Sequence, residues 1–186
     1  MKKEVIDRSW TLFLDRDGVI NRRTPGAYIT CVEDFHFLPG SLEAMPFFRE
    51  QFGRLVIVTN QKGVGKGLMT EDDLKDVHEY MLSEFKKMGV VPDAVYAATA
   101  REFTATSNHK PNPGMALQAQ QDFPDIDFKK SVMVGDSLSD MEFGLRLGMK
   151  TVLVEGKFED VEELAGLKLW ERVFDLNGVR DLLIKK

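Results

Sequence analysis

The chain has 186 residues, 43% hydrophobic and 30% charged, with 25 Lys and Arg against 30 Asp and Glu for a formal net charge of -5. That length supports one full hydrophobic core and is short for two, so a single domain over residues 1–186 is expected. The acidic balance excludes a nucleic-acid partner, which would need a broad basic face. No stretch approaches the ~18 apolar residues of a membrane span.

In chain order, the first residues, Met1 to Asp7, contain no apolar run of the kind that marks a secretory leader. Trp10 to Leu14 is an apolar, β-prone run that ends abruptly in Asp15-Arg16-Asp17-Gly18-Val19-Ile20-Asn21. It reads as a buried strand, Thr11 to Leu14, delivering two carboxylates to the carboxyl edge of a sheet, where open α/β sheets place their ligands. Cys31 is the only cysteine, so an intramolecular disulfide is impossible and a reducing cytoplasm is expected. Ser41 to Phe52 reads as a helix, and Arg54 to Val58 as a second strand. Glu71 to Met88 is the clearest helix: Leu74, Val77, Met81, Phe85 and Met88 recur at helical spacing behind Thr70 as N-cap. Ala94 to Ala97 is a third strand. Asn112 and Pro113 look like an N-cap and a first-turn proline opening a helix through Ala119. Ser131 to Val134 and Thr151 to Val154 are further strands, with a helix between them from Leu138 to Leu147 ending at Gly148. Asp160 to Ala165 and Val179 to Ile184 are candidate closing helices. Strands that are apolar on both sides and alternate with helices predict an α/β fold, a parallel sheet covered on both faces.

Four of these segments carry chemistry. The Asp15/Asp17 pair offers a nucleophile and a proton-transfer group, and suits Mg²⁺, a hard cation that seeks oxygen. After the second strand come Thr59-Asn60-Gln61-Lys62-Gly63-Val64-Gly65-Lys66-Gly67, a hydroxyl followed by glycines whose amides can approach an oxyanion. This is no P-loop, because Asn60 stands where the first glycine belongs and Gly67 follows Lys66; nor is it a dinucleotide loop, because Leu68 stands where the third glycine belongs. His109-Lys110-Pro111-Asn112-Pro113 fixes an ammonium at a rigid helix entry, where it can neutralise a phosphoryl group and an attacking carboxylate together. Val132 to Asp140 delivers a further carboxylate, Asp136, able to complete an oxygen-rich metal site, with Asp140 placed to hold Lys110. Of the other histidines, His36 reads as a loop packing residue and His78 as a solvated helix position. Arg22 and Arg23 read as a solvated pair following the acid loop.

Taken together, in this order and at strand ends, the four segments resemble the haloacid dehalogenase superfamily of phosphotransferases over about Thr11 to Val154. The resemblance implies a three-layer Rossmann-like fold. It also implies Asp15 as nucleophile, Asp17 as general acid/base, Thr59 as a hydrogen-bond donor to the phosphoryl group and Lys110 as charge clamp, with Mg²⁺ on Asp15, the Asp17 carbonyl and Asp136. An acid two residues after the nucleophile implies phosphatase chemistry. Tyr28-Ile29, Glu33-Asp34-Phe35, Phe37 to Gly40 and Lys110 to Met115 narrow the resemblance to the histidinol-phosphate phosphatase family, and within it to the heptose branch, the D-glycero-D-manno-heptose 1,7-bisphosphate 7-phosphatases.

With 43 residues between Asp15 and Thr59 and 50 between Thr59 and Lys110, no large cap domain fits. The pocket is then shaped by loops, and Asn21, Arg22, Arg23, Asn60, Gln61, Lys62, Lys66 and His109 are the candidates to grip substrate. The family's Cys/His zinc loop has no counterpart here, since Ala97 to His109 holds no cysteine and one histidine, and no structural zinc is expected. His109 also stands where heptose phosphatases often present an arginine. The expected activity is hydrolysis of a small sugar phosphate by a cytoplasmic monomer. The α-anomer branch, which serves GDP-heptose synthesis, is preferred on the segment Gly65 to Thr70. Histidinol phosphate is the nearest alternative substrate, a polynucleotide 3′-phosphatase is disfavoured by charge, and a kinase by the missing P-loop. A catalytically silent binding module on the same fold is opposed by the intact acids and lysine.

Overall fold

The computed structural model describes residues 5–24, 26–155 and 161–185. Met1 to Glu4, the start of the segment read above for a leader, and Asp160, the expected start of a helix, lie outside them. Six strands form one parallel sheet: β1 (Thr11–Leu14), β2 (Arg54–Asn60), β3 (Ala94–Ala98), β4 (Ser131–Gly135), β5 (Lys150–Val154) and β6 (Glu171–Val173), in the spatial order β3-β2-β1-β4-β5-β6. Chain order reverses at β1, which is flanked by β2 and β4 (Leu14 opposite both Ile57 and Val134). Crevices at such reversals are where doubly wound sheets bind ligands.

The helices are α1 (Ser41–Gln51), α2 (Lys62–Gly65), α3 (Glu71–Lys87), α4 (Gly114–Asp122), α5 (Leu138–Arg146), α6 (Val161–Ala165) and α7 (Leu176–Lys185). Strand alternation divides the core into two layers. Leu12, Leu14, Leu55, Ile57, Val132 and Val134 point to one face and pack with residues of α1, α3 and α7, including Phe48, Phe85 and Val179. Phe13, Val56, Val58 and Met133 point to the other, against Met115, Ala116 and Ala119 of α4 and Phe143 of α5. With both faces covered, β1 is buried at every position, which is why its sequence reads as an unbroken apolar run.

Elements differ from expectation mainly at their ends. β6 was not expected: Glu-Arg-Val is three residues long and half exposed at a sheet edge, too short and polar to register as a strand. α7 starts three residues before Val179, at Leu176. Pro113, not Asn112, is the N-cap of α4, because the Asn112 amide turns back to the carbonyls of Thr104 and Ser107, each at 2.9 Å. Thr70 does cap α3, in a reciprocal capping box with Asp73. No helix among the described residues is long and apolar enough to cross a membrane.

Candidate active site

β1 hands its acids to a tight loop. The Arg16 carbonyl accepts the amides of Ile20 at 2.8 Å and Asn21 at 3.1 Å, and Gly18 N donates to Asn21 O at 2.7 Å. Asp15 N donates to Val134 O at 2.9 Å, continuing the β1–β4 ladder and setting Asp15 beside Gly135 and Asp136. Gly18 has φ +92°, and a Cβ there would lie 2.0 Å from Asp136 Oδ2, so only glycine closes this loop over the Asp136 carboxylate.

The Lys110 ammonium is buried at the centre. Its Nζ donates to Asp15 Oδ1 and to the Val58 carbonyl, both at 2.7 Å, and lies 2.6 Å from Asp140 Oδ1 in an ion pair. Two hydrogen-bond acceptors and one further anionic oxygen thus surround the ammonium. The Asn60 side chain brackets the Lys110 backbone, accepting from its N at 2.9 Å and donating to its O at 3.1 Å. Asp140 Oδ2 accepts from Asp136 N, Ser137 N and Ser137 Oγ as half of the capping box of α5. The Thr59 hydroxyl oxygen accepts Gln61 Nε2 at 2.7 Å, which leaves the hydroxyl proton to donate elsewhere.

Oxygens of Asp15, Asp136 and Asp140 all lie within 4.8 Å of one another, the one such group of His, Cys, Asp or Glu among the described residues. Burial first, then the Asp140 charge, pushes Asp15 up to about 7 against the pull of Lys110. Burial and the neighbouring Asp15 and Asp140 push Asp136 up to about 8. Lys110 is itself held above its usual range, burial opposing but Asp140 and Asp15 prevailing. Three acids thus face one buried ammonium, with Arg23 3.9 Å from Asp136. A hard divalent cation such as Mg²⁺ fits this surplus of anionic oxygen. Because Asp140 is committed to Lys110 and its helix cap, Asp15 and Asp136 are the carboxylates placed to take it.

Asp17 differs. Its carboxylate accepts from Arg16 Nη2 at 2.9 and 3.0 Å, Arg16 Nε at 3.2 Å, Asn21 Nδ2 at 2.9 Å and Gln61 Nε2 at 2.7 Å. Burial would raise it, but the Arg16 charge and these bonds outweigh burial and hold it below the usual carboxylate range. Two acids two residues apart are therefore driven in opposite directions, Asp15 upward by burial and Asp17 downward by Arg16 and its hydrogen bonds.

A cleft of about 730 Å³ opens over these groups, walled by residues 23, 24 and 26–29, α2 and the start of α5. Arg23, Lys62 and Lys66 line it, Lys66 sitting 5.3 Å from the Tyr28 ring centre. The expected substrate-gripping set needs correction. Asn21 and His109 are fully buried and outside the cleft wall: Asn21 is spent on Asp17 and the Arg22 carbonyl, and both His109 ring nitrogens lack a hydrogen-bond partner. Arg22 is exposed and also off the wall. Asn60 and Gln61 reach the cleft but are engaged with Lys110, Asp17 and Thr59. His36 is exposed rather than packed. His78, expected in solvent, is half-buried with Nε2 3.1 Å from Arg16 Nη1; helical spacing could not reveal this, because Arg16 looks like a loop residue until the loop folds under α3.

A family model described as HAD-hydrolase-like matches residues 108–176. A Mycobacterium bovis protein named D-glycero-alpha-D-manno-heptose-1,7-bisphosphate 7-phosphatase is 38% identical over 142 residues, 76% of this chain and 75% of that protein. A Yersinia pestis protein named for the beta form is 36% identical over 155 residues, 78% and 81% of the two chains. Among solved structures, a D,D-heptose 1,7-bisphosphate phosphatase from B. bronchiseptica, complexed with magnesium and phosphate, superposes with a TM-score of 0.82 at 29% identity, covering 94% of this chain and 98% of that one.

Proposed function

The chain belongs to the haloacid dehalogenase-like (HAD-like) hydrolases, and from that membership we propose that it is a Mg²⁺-dependent phosphatase that removes the 7-phosphate of D-glycero-D-manno-heptose 1,7-bisphosphate, with the α anomer preferred. The carrying observation is the buried Lys110 bridging Asp15 and Asp140 beside Asp136. An Asp15 oxygen attacks phosphorus, the ester bond to the sugar oxygen breaks, and Asp17 supplies the proton to that leaving oxygen. Water, deprotonated by Asp17, then attacks the aspartyl-phosphate and frees Asp15 and inorganic phosphate. Lys110 and the Thr59 hydroxyl stabilise the charge that gathers on the phosphoryl oxygens. Asp15, Asp136 and the Asp17 backbone carbonyl would hold Mg²⁺, which would supply further neutralisation of that charge.

Arg23, Lys62 and Lys66 on the cleft wall support a substrate with a second phosphate. They count against histidinol phosphate, whose ammonium would look to Glu142, the acid on the wall beyond the catalytic carboxylates, and Glu142 is already paired to Arg146 at 3.0 Å. The segment Gly65 to Thr70 and the name of the M. bovis relative support the α anomer.

The test is phosphate release, with Mg²⁺ and with EDTA, from both heptose bisphosphate anomers, histidinol phosphate and a 3′-phosphorylated oligonucleotide. A preference for histidinol phosphate of about tenfold, worth ~1.4 kcal/mol in transition-state binding, would overturn the sugar assignment. Turnover retained in Asp15→Asn would overturn the covalent route.

A further inference from the structure

We propose that Arg16 and His78 are positioning residues: the buried Arg16 guanidinium, braced by the His78 ring on α3, fixes the orientation of the Asp17 carboxylate. This rests on the reading of Asp17 as the group that exchanges a proton with the leaving oxygen.

Nothing in the chemistry of a phosphatase requires a cation at position 16, yet the Arg16 side chain is completely buried. Burying a guanidinium costs several kcal/mol, and apolar residues of similar volume often substitute for such ion pairs without loss of stability. Packing alone therefore gives Arg16 little reason to be there. The geometry gives one. Nε and Nη2 form a fork on Asp17, and a planar fork sets both the place and the plane of a carboxylate. Nη1 points the other way, 3.1 Å from His78 Nε2. Arginine has no lone pair to offer, so the imidazole nitrogen is the acceptor and the ring is the neutral tautomer protonated at Nδ1. Burial and the Arg16 charge agree, holding His78 down at about 4.

The brace has support of its own. The Phe35 ring centre lies 5.8 Å from the guanidinium carbon and 5.9 Å from the ring of Tyr80, two residues beyond His78 on α3. Asn21 and Gln61 complete the hold on Asp17 from the other side. The chain of contact thus runs from a long helix, through a neutral imidazole and a guanidinium, to one carboxylate. Proton transfer to a leaving alkoxide depends on this kind of placement, because an error of ~1 Å can cost about 100-fold in rate.

Leaving-group dependence tests the brace. p-Nitrophenolate departs with little help from an acid, whereas a sugar alkoxide needs one. In His78→Leu, kcat for heptose 1,7-bisphosphate is expected to fall by about tenfold or more, while its KM and the kcat for p-nitrophenyl phosphate each stay within about threefold. His78→Gln, which keeps an acceptor facing Arg16, is expected to restore turnover. Arg16→Lys, which keeps the charge and loses the fork, is expected to repeat the selective loss and serves if the leucine variant folds poorly. Equal losses on both substrates, or no loss on either, would overturn the brace. Asp17→Asn separates this from the underlying reading: a selective loss there with proportional losses in His78→Leu overturns the brace alone, and proportional losses in Asp17→Asn overturn the role given to Asp17.

Discussion

Gly18 shows how much of the site rests on the absence of one carbon. An alanine there meets Asp136 Oδ2 at 2.0 Å and must hold φ near +92°, a backbone region that costs a non-glycine residue ~1–2 kcal/mol. Gly18→Ala is expected to weaken Mg²⁺ binding by about tenfold or more, read by calorimetry, while melting only a few degrees lower. The raised carboxylates set a second expectation. Asp15 and Asp136 titrate near 7 and 8 in the folded, metal-free chain and near 3.8 unfolded, so the folded state holds more protons between those values. The stability these two groups contribute is greatest below the unfolded value and is lost as pH rises through the folded ones. Mg²⁺ needs both groups ionised and reverses the trend. Above pH 7 the depressed histidines, His78 and His109, add little to the slope. The gap in melting temperature between Mg²⁺ and EDTA should therefore widen from pH 7 to pH 9; a constant gap would contradict the carboxylate pair as the metal site. In the sequence, the acids and Lys110 stood out because each ends an apolar run or sits beside proline. The partners that aim them did not: Arg16, Asn21 and His78 meet only after the loop closes, and no local spacing announces that.

At the level of elements, α5 and α3 begin alike and serve differently. Both open on capping boxes, Ser137 with Asp140 and Thr70 with Asp73. Asp73 is exposed and serves α3 alone, whereas Asp140 is buried and its second oxygen meets Lys110. Thr70→Ala is expected to cost ~1 kcal/mol in urea unfolding and leave kcat unchanged. Asp140→Ala removes a cap and half of the buried pair, and is expected to cost ~3–5 kcal/mol with a large loss of kcat. A similar cost for the two substitutions would mean that Lys110 does not depend on Asp140. β1, β2, β4, β5 and α3 were legible in the sequence because burial leaves signals: an unbroken apolar run where both sheet faces are covered, a helical period where one helix face is. β6 and α2 leave none: three half-exposed residues, and a single turn with two glycines.

Across the whole molecule, the reversal of strand order at β1 brings Asp15 and Asp136 together from opposite sides of one crevice, and loops build its walls. α2 lies so close to the 99–101 segment that a Cβ on Gly65 would sit 2.2 Å from Arg101 N and 2.5 Å from Thr99 O. Both obstacles are backbone and cannot swing aside. Gly65→Ala is expected to push α2 off that segment and carry Lys62 and Lys66 with it, raising KM for a bisphosphate more than it lowers kcat. An unchanged KM would mean that α2 does not shape the substrate site. The α/β class and the crevice were readable from alternation and strand ends, while the wall was not, since glycines alone do not say which backbone they will touch.

The stretches from Asp15 to Thr59 and from Thr59 to Lys110 hold only a short 3-10 helix, α1, β2, α2, α3, β3 and loops, so no large cap has to swing shut over each substrate. Encounter and escape are then a matter of simple diffusion through a fixed mouth rather than of a hinge working against solvent friction. Thickening the medium with sucrose should slow kcat/KM for the best substrate towards the diffusive limit and leave kcat, governed by bond breaking at phosphorus, where it was.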